Sequence, residues 1–447
     1  MPEIKNIVIA GLGISGFEAA LLALEKCQQV FVLDTFDSTA IQNRAACLTE
    51  KGAEVITNIN LKETRLPIQP DAVVISPGID PRQEFGQFLN SLNAPILSEL
   101  EFAALYIKTP MIGITGTNGK TTTVELITHC LKMLGKKAIA AGNIGYALCK
   151  VAREENDLDF IVVEVSSFQL EAINKLKFKA AAVLNISSDH VDRYDSFEDY
   201  GNTKLKILSH TDSPSVSRSI LNESWEVNAE NLKTFSVGGE ISDIYLSEGF
   251  IITGDQRLKF PTENLNGLHN AENLMAAMSV LRDCGFPIKA VYEASFSYKT
   301  APHRMQFVVE HKGIQIYNDS KSTNPHALKT ALESLGTPYA RNIVLIAGGR
   351  DKKMDFKIVN TALCSYTREV YLYGECTPIL YEVWKDKVQC IRCKNFNEAV
   401  QLALSSVTKG ELLLLSPGCS SLDSFRSYEE RGNEFVKTVQ EWTTNER

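Results

Sequence analysis

Residues 116–122 have the types and spacing of a loop that binds phosphate groups. They read Gly-Thr-Asn-Gly-Lys-Thr-Thr and lie between an apolar stretch that is predicted to be a strand and a predicted helix. Glycines let backbone N–H groups approach phosphate oxygens, and the helix N-terminus adds a positive field. Lys120 would contact the β- and γ-phosphates of ATP, and the Thr121 hydroxyl would bind Mg²⁺. The strict pattern has a glycine where this chain has Ile114, so the loop is a variant form, and a purely structural turn is the alternative.

A second glycine-rich turn lies near the start of the chain, at residues 11–16. It fits the pattern G-x-G-x-x-G, follows a predicted strand and precedes a helix that is predicted to begin at Phe17. Asp34 ends the next strand about 20 residues further on, where a ribose or base contact belongs. The pattern alone is typical of NAD(P) or FAD dehydrogenases. Its physical requirement is only a pyrophosphate at a helix N-terminus, which a UDP-sugar also meets. Ser76, after another strand, could add a phosphate contact.

Acidic and imidazole side chains follow two further predicted strands. Glu164 ends one strand, and Asp189, His190 and Asp192 follow the strand that is predicted to end at Ile186. Because the carboxyl ends of parallel strands meet at one edge of a sheet, these side chains are expected near the phosphate loop. Mg²⁺ prefers oxygen ligands and tolerates an imidazole. A magnesium site is the favoured interpretation, and helix N-caps are the alternative for the two aspartates.

Three polar loops in the last third of the chain also follow predicted strands. They are residues 318–324, 348–353 and 416–421. One such loop is often a solvated turn. Three of them at the carboxyl ends of strands mark the crevice in which open α/β sheets bind ligands. We therefore predict a second ligand site in this part of the chain.

The composition limits the classes of partner. The chain has 447 residues, a formal net charge of −8 and 44% hydrophobic residues. Since there is no long basic run, nucleic acids and anionic membranes are disfavoured as partners. No run of about 18 apolar residues and no signal peptide is recognised, so no membrane helix is predicted. The ten cysteines are scattered, and the one CxxC pair, Cys390 and Cys393, is predicted to lie on a strand. We expect a monomeric cytoplasmic enzyme that acts on small molecules.

The order of elements predicts an α/β fold with three domains. Strands alternate with glycine turns and helices, which is typical of parallel sheets covered by helices. We place the domains at residues 1–97, 98–300 and 301–447. The first and third are predicted to be Rossmann-like. The central domain is predicted to be a P-loop-type ATPase domain, and its residues 244–260 are predicted to form β-hairpins.

Taken in order, these segments resemble the Mur ligase family of peptidoglycan synthesis, and the resemblance extends along the whole chain. The most discriminating segments are Asp-Ser-Lys-Ser-Thr-Asn at residues 319–324 and Ser-Pro-Gly-Cys-Ser-Ser-Leu-Asp-Ser-Phe at residues 416–425. The resemblance implies a three-domain ligase that uses ATP to add D-glutamate to UDP-N-acetylmuramoyl-L-alanine through an acyl phosphate. Gly418, Ser420 and Tyr428 depart from the Ala, Ala and Phe that are usual in the family.

The resemblance also implies roles for particular residues. Uridine and pyrophosphate would be bound by Ile14, Ser15, Asp34, Thr35 and Ser76. The muramoyl-peptide part of the substrate would lie next to Asn143 and His190. ATP would be bound by Gly116, Thr117, Asn118, Gly119, Lys120, Thr121, Thr122, Asn270, Asn273, Arg304 and Asp319. D-Glutamate would be bound by Thr323, Lys352, Ser421, Leu422 and Tyr428. The catalytic set would be Lys120, Glu164, His190, Lys204 and Lys321.

Two Mg²⁺ sites are implied by the same resemblance. Thr121 and Glu164 would hold the first ion, and His190 and Lys204 the second. Lys204 matches a lysine that is carbamylated in the family. A carbamate would turn a cation that repels Mg²⁺ into an anion that binds it. From the residue type alone, a lysine on a predicted helix is usually exposed to solvent.

Other classes of protein stay open at this point. An NAD-dependent dehydrogenase would use residues 11–16 but would leave the Lys120 loop unexplained. A non-catalytic ATP-binding regulator would have a degenerate site, and the presence of Lys120, Glu164, His190 and Lys204 argues against it. A folate-polyglutamate ligase, which is a near relative, would share the ATP domain but would lack the first domain.

Overall fold

The three-dimensional structure is a computed structural model. It describes residues 4–154, 157–187, 193–223, 225, 227, 229–261, 265, 267–299, 302–337, 339–352 and 354–445. The strands form three sheets of five, nine and six strands with helices between them, so the α/β fold class is confirmed. The chain divides into two compact units. The first consists of Met1–Ile186, Glu198–Lys259 and Glu272–Tyr298. The second consists of Ser187–Phe197, Phe260–Ala271 and Lys299–Arg447. The domain boundaries after residues 97 and 300 stay predictions.

The first sheet is wholly parallel. Its strands and the helices among them are β1 (Asn6–Ala10), α1 (Ile14–Lys26), β2 (Gln29–Leu33), α2 (Thr39–Glu50), β3 (Glu54–Ile56), β4 (Ala72–Ile75), α3 (Glu84–Ser91), β5 (Ile96–Ser98) and α4 (Glu99–Ala104). The strand order is β3-β2-β1-β4-β5. Ile7, Val8 and Ile9 are fully buried, as expected where helices cover both faces of a parallel sheet.

The second sheet has a parallel core and an antiparallel edge. Its strands and neighbouring helices are β6 (Met111–Thr115), α5 (Lys120–Met133), β7 (Ala138–Gly142), α6 (Leu148–Glu154), β8 (Phe160–Glu164), α7 (Ser167–Glu171), β9 (Ala180–Val183), α8 (Phe197–Leu205), β10 (Pro214–Ser217), α9 (Arg218–Leu221), β11 (Lys233–Ser236), β12 (Ile244–Ser247), β13 (Phe250–Thr253), β14 (Gln256–Lys259), α10 (Leu268–Asp283) and α11 (Ile288–Ala294). The strand order is β14-β13-β12-β11-β10-β9-β6-β8-β7.

The antiparallel edge is formed by β12, β13 and β14, which confirms the β-hairpins predicted for residues 244–260. The turn between β12 and β13 consists of Glu248 and Gly249, with φ of 50° and 79°. Positive φ at both residues is the geometry of the tight turn that matches the right-handed twist of a hairpin.

The third sheet is parallel apart from its first strand. Its elements are β15 (Gln306–His311), β16 (Ile314–Asn318), α12 (Pro325–Leu335), β17 (Ile343–Gly348), α13 (Asn360–Tyr366), β18 (Thr367–Tyr373), α14 (Thr377–Trp384), β19 (Gln389–Arg392), α15 (Phe396–Ser406), β20 (Leu412–Leu415) and α16 (Tyr428–Asn445). The strand order is β15-β16-β20-β17-β18-β19. Leu412 and Leu414 pack into one core and Leu413 and Leu415 into another, because successive side chains of a strand point to opposite faces.

Some local details differ from the prediction. Helix α1 begins at Ile14 and not at Phe17, so part of the glycine motif belongs to the first helical turn. Cys390 lies on β19 and Cys393 follows it, and burial raises the pKa of each thiol to about 11. Within the described ranges, no helix has the length and apolar composition that crossing a membrane requires.

The turn between β1 and α1 leaves no room for a side chain at Gly16. A Cβ built there would lie 1.8 Å from the carbonyl oxygen of Gly11. We expect Gly16→Ala to lower the free energy of unfolding by about 3 kcal/mol, because the backbone must move. Urea denaturation measures this change. Gly13→Ala is the control, since no atom lies within 4 Å of a Cβ at Gly13. Equal losses in the two variants would contradict the steric explanation.

Helix α4 begins with a buried carboxylate. Glu99 is 1% exposed, and its Oε1 accepts a hydrogen bond from the Cys149 N–H at 2.6 Å. Its Oε2 has no hydrogen-bond partner among the described residues. Burial raises the pKa of Glu99 from 4.5 to about 7, since a charged carboxylate is poorly solvated there.

This raised pKa predicts that stability falls as the pH rises from 4.5 to about 7. In that window the folded state keeps the proton and the unfolded state releases it, so folding is favoured at the lower pH. Glu99→Gln should remove this loss, on the order of 2 kcal/mol, when unfolding free energies at about pH 5 and about pH 8 are compared. Glu50→Gln, at an exposed position, should leave the pH dependence unchanged. A Glu99→Gln variant with the original pH dependence would rule out this explanation.

Candidate active site

The phosphate loop joins the end of β6 to the start of α5. Two of its glycines have conformations that other residues rarely adopt, with φ of 153° at Gly116 and 82° at Gly119. A Cβ at Gly119 would also lie 2.5 Å from Asn273 Oδ1. Glycine at both positions therefore permits the backbone path of this turn, which places N–H groups at a helix N-terminus where phosphate binds.

Residues from neighbouring elements hold this loop in place. Asn185 follows β9, and its side-chain Oδ1 accepts a hydrogen bond from the Asn118 N–H at 2.8 Å. The backbone oxygen of Asn185 accepts one from the Thr117 N–H at 2.9 Å. The hydroxyl of Tyr200 on α8 lies 3.1 Å from Thr117 Oγ1. These bonds organise the loop before a ligand arrives. Tyr200 was not among the predicted site residues.

Two lysine side chains converge on the loop. Lys120 Nζ donates hydrogen bonds to the carbonyl oxygens of Gly116 and Thr117, both at 2.8 Å. Lys204 Nζ donates to the same Gly116 oxygen at 3.0 Å and lies 4.6 Å from the centre of the Tyr200 ring. Lys204 is 2% exposed, unlike most lysines on helices. The structure therefore brings the predicted Lys120 and Lys204 together.

Glu164 lies at the end of β8, beside the loop strand β6. It is 2% exposed, and its Oε1 accepts a hydrogen bond from Asn143 Nδ2 at 2.7 Å. Its Oε2 has no hydrogen-bond partner in the described part of the chain. A buried carboxylate oxygen without a partner is costly, and a hard cation such as Mg²⁺ is a fitting partner for it.

The rest of the predicted metal set is only partly visible. Thr121 lies half-buried in the first turn of α5. The predicted ligand His190 lies outside the described residues, as do Asp189 and Asp192. Where the chain is described, no cluster of three or more His, Cys, Asp or Glu side chains is found. The donor set of Glu164 and Thr121 nevertheless suits Mg²⁺, because both offer oxygen ligands.

The two asparagines of α10 that are predicted to contact the nucleotide are both buried. Asn273 on α10 is 3% exposed, and its Oδ1 accepts a hydrogen bond from Thr123 Oγ1 at 3.1 Å. This contact ties α10 to α5 just after the phosphate loop. Asn270 is 4% exposed, and its N–H donates to the Gly267 carbonyl oxygen at 3.1 Å.

The glycine turn at residues 11–16 is closed by Asp34 and Ser76. Asp34 accepts hydrogen bonds from the backbone N–H groups of Leu12 at 2.5 Å and Phe36 at 2.8 Å. Ser76 Oγ donates to the Gly11 carbonyl oxygen at 3.1 Å. Both side chains therefore shape the turn, and any contact with uridine or pyrophosphate would come in addition. Ser15 and Thr35 are half-buried, and Ile14 is exposed.

In the second unit, the predicted Asp319 is 8% exposed. Burial raises its pKa to about 7, although hydrogen bonds from Ser416 and Met305 and the nearby charge of Arg304 oppose the shift. Arg304 lies between His303 and Met305, which have φ of 67° and 46°. A left-handed residue on each side of Arg304 is costly, and such strain concentrates at functional sites.

The loops predicted to bind the amino acid meet at the carboxyl edge of the third sheet. The backbones of Arg350 and Ser420 exchange two hydrogen bonds, at 2.8 Å and 3.1 Å. Lys321 Nζ lies 3.7 Å from the centre of the Tyr428 ring, so these two predicted residues are in contact. The other predicted residues differ in exposure: Ser421 is buried, Thr323 and Lys352 are half-buried, and Leu422 is exposed.

The chain is similar to known proteins along nearly its whole length. The sequence profiles of the Mur ligase middle domain and of the Mur ligase glutamate ligase domain match residues 114–281 and 303–419. A UDP-N-acetylmuramoylalanine--D-glutamate ligase from Desulfatibacillum aliphaticivorans is 32% identical, over 97% of this chain and 98% of its own. The enzyme of that name from Caldanaerobacter subterraneus is 34% identical over the same shares. The chain belongs to the Mur ligase family.

Solved Mur ligases and a related peptide ligase share its fold. A pseudomurein peptide ligase type C from Methanothermus fervidus matches with a TM-score of 0.60 and 17% identity, over 97% of this chain and 100% of that one. The UDP-N-acetylmuramate-alanine ligase of Thermotoga maritima has a TM-score of 0.59 and 18% identity, with 98% and 99% covered. The MurF ligase of Thermotoga maritima, solved in complex with ADP, has a TM-score of 0.59 and 18% identity, with 87% and 97% covered.

One buried residue of this Mur ligase was missed by the sequence analysis. Arg431 on α16 is fully buried. Its guanidinium donates to the carbonyl oxygens of Ser320 at 2.8 Å and Cys419 at 3.2 Å. It therefore joins the loop after β16 to the loop after β20. The sequence shows only that this arginine directly precedes a glycine, Gly432. The structure shows why a glycine is needed there, because a Cβ at Gly432 would lie 2.2 Å from His303 Nδ1.

An exposed aromatic residue was also missed. Phe36 lies beside the glycine turn and is 70% exposed, as is Ile14. Both side chains are near the glycine motif in the sequence, Ile14 within it and Phe36 two residues after Asp34.

Proposed function

We propose that the chain is a cytoplasmic, monomeric ATP-dependent ligase that joins D-glutamate to UDP-N-acetylmuramoyl-L-alanine and releases ADP and phosphate. The observation that carries this proposal is the similarity, at 32–34% identity over 97% of the chain, to relatives that are named for this activity. The phosphate loop with Lys120, the buried Glu164 beside it, and the polar loops of the third sheet support it. An NAD-dependent dehydrogenase leaves these features without a role.

The first step is transfer of the ATP γ-phosphate to the substrate carboxylate, which gives an acyl phosphate and ADP. Lys120 turns from the carbonyl oxygens of Gly116 and Thr117 to the β- and γ-phosphates, because a phosphate is the stronger acceptor. Asn273 supports the start of α5 through Thr123. These residues orient the phosphates, and positioning with electrostatic stabilisation accounts for most of the catalysis of phosphoryl transfer.

Mg²⁺ would be held by Thr121 and Glu164 at one site, and by His190 with a carbamylated Lys204 at a second. When bound, these ions would offset the negative charge of the transferring phosphoryl group. Asn143 fixes Glu164 through Oε1 and leaves Oε2 available. Carbamylation requires that the Lys204 ammonium first loses one proton. The amine Nζ then forms a bond to the carbon of CO₂, one C–O double bond opens to give the carboxylate, and Nζ releases a second proton, which leaves an anionic carbamate with one N–H.

The second step is attack of the D-glutamate amine on the acyl phosphate. A tetrahedral intermediate forms, phosphate leaves, and the amine proton is lost. Thr323, Lys352, Ser421 and the backbone of Leu422 bind the amino acid, and Lys321 completes the catalytic set. Arg431 keeps the Ser320 and Cys419 loops together, so it acts as a positioning residue.

The test is phosphate release with ATP, Mg²⁺ and UDP-N-acetylmuramoyl-L-alanine, with one amino acid offered at a time. D-Glutamate should give turnover, and L-glutamate and L-alanine should give little. Equal or greater turnover with either L-amino acid would reject the assignment. A Lys120→Ala variant is the control for contaminating ATPases. No turnover with any amino acid, together with retained ATP binding, would favour a non-catalytic ATP-binding regulator.

A further inference from the structure

A cavity lies at the edge of the second sheet opposite to the phosphate loop. Its volume is about 400 Å³, within the range of sites for small organic ligands. Met111, the first residue of β6, lines it, whereas the last residue of β6, Thr115, leads into the phosphate loop. Lys179 also lines the cavity and directly precedes β9. The cavity is thus separate from the nucleotide site and lies within one compact unit.

Positive side chains dominate the charged lining of this cavity. Its lining includes four lysines, Lys108, Lys175, Lys177 and Lys179, and two acidic residues, Glu101 and Asp212. All four lysines are exposed. A local excess of positive charge is notable in a chain whose formal net charge is −8, because it attracts anions that the rest of the surface repels.

Three of the lysines occupy alternate positions in one segment. Lys175, Lys177 and Lys179 are exposed, whereas the intervening Leu176 and Phe178 are 3% and 2% exposed. The three lysines are therefore open to solvent beside the cavity, while the residues between them pack inward. Two anionic groups of one molecule can therefore pair with separate lysines.

The hydrogen bonds of the buried acidic residue of the lining go to the backbone, and four lysines against two acidic residues leave a formal excess of two positive charges. Glu101 is 1% exposed, and its carboxylate accepts hydrogen bonds from the backbone N–H groups of Asn174, Lys175 and Leu176 at 2.7–3.1 Å. It holds the backbone at Lys175, at the start of the lysine segment. The carboxylate of Asp212 is then the one remaining acidic group in the lining.

Apolar side chains complete the lining. Leu105, Ile107, Pro110 and Met111 line the same cavity as the lysines. Leu105 is 38% exposed, so an apolar surface is open to a ligand beside the positive charges. An inorganic anion would use the lysines alone, whereas an amphiphilic anion would use both parts of the lining.

We propose that this cavity binds an amphiphilic organic anion, which is a small molecule with a diphosphate or two separate anionic groups joined to an apolar part. The cavity is a further binding site, and its lining includes none of the residues predicted to bind ATP, the UDP-linked substrate or D-glutamate. The proposal does not depend on the ligase activity. The ligand pairs its charges with the alternating lysines and lays its apolar part against Leu105 and Met111.

The test uses the full-length protein saturated with ADP and Mg²⁺, so that the phosphate loop is filled. Hexyl diphosphate and pyrophosphate are titrated separately by calorimetry. Hexyl diphosphate should bind about tenfold more tightly than pyrophosphate, because part of its alkyl chain is buried. Its affinity should fall as salt is raised, since exposed charges are screened. Equal affinities would show a site for inorganic phosphate groups and would overturn the amphiphilic assignment.

A double variant locates the binding. Lys175→Ser with Lys179→Ser should weaken hexyl diphosphate binding at least about tenfold. Lys62→Ser with Lys289→Ser is the control, because it removes two exposed lysines elsewhere and changes the net charge equally. Equal binding by the two double variants, or no binding to the unsubstituted protein, would overturn the proposal. Ligase turnover should be the same in both variants, so the result is independent of the proposed activity.

Discussion

Lys204→Ala should abolish ligase turnover, with a loss of at least about 10³-fold. The side chain is 2% exposed and its Nζ lies 3.0 Å from the Gly116 carbonyl oxygen, within the loop that is predicted to bind the transferred phosphate. Alanine would remove both the hydrogen bond and the nitrogen that is predicted to be carbamylated. Steady-state phosphate release measures the effect.

A small carboxylic acid such as acetate should partly restore turnover to the Lys204→Ala variant, because its carboxylate can occupy the place of the carbamate. Lys206→Ala is a matched control, since Lys206 Nζ also donates to backbone carbonyl oxygens, those of Leu170 and Glu171. It should keep turnover within about threefold of the original. Full activity of Lys204→Ala would remove this lysine from the mechanism. A folded Lys204→Ala variant that no acid restores would argue against the carbamate.

Arg431→Met should lower the free energy of unfolding by about 3 kcal/mol and raise the KM for D-glutamate about tenfold or more. The guanidinium is fully buried and donates to the carbonyl oxygens of Ser320 and Cys419. Methionine fills similar space but offers no donor, so both oxygens lose a partner. The loops that are predicted to hold the amino acid would then be less well positioned.

The measurements for Arg431→Met are urea denaturation and separate KM values for ATP and D-glutamate. The KM for D-glutamate should rise more than the KM for ATP, which a general loss of stability would not produce. Arg426→Met is the control, because Arg426 is exposed on the same segment of the chain. Similar results for the two arginine variants would refute a positioning role for Arg431.

The features that the sequence predicted well are those carried by short segments. The strand, loop and helix around residues 116–122 are contiguous, so their glycines and Lys120 are recognisable together. The β-hairpins at residues 244–260 follow from alternating apolar residues and tight turns. The Mur ligase resemblance depends on several such segments in a fixed order, and the relatives that match along the chain confirm it.

The features that the sequence did not predict depend on residues that are far apart in the chain. Lys204 and Gly116 are separated by 88 residues, and Arg431 and Ser320 by 111. Residue type alone placed Lys204 in solvent, because burial depends on what packs around a helix. The ligand contact of Asp34 stays a prediction, and the motif did not predict its hydrogen bonds from the backbone N–H groups of Leu12 and Phe36.

One oxygen atom receives hydrogen bonds from two cations. The Gly116 carbonyl oxygen accepts from Lys120 at 2.8 Å and from Lys204 at 3.0 Å. A nucleotide that draws Lys120 to its phosphates removes one of these donors, and a carbamate on Lys204 changes the other. With both events acting on this oxygen, each would change the free energy of the other by the same amount. Dissolved CO₂ would then act as an effector of nucleotide affinity, and nucleotide would act in turn on the extent of lysine modification.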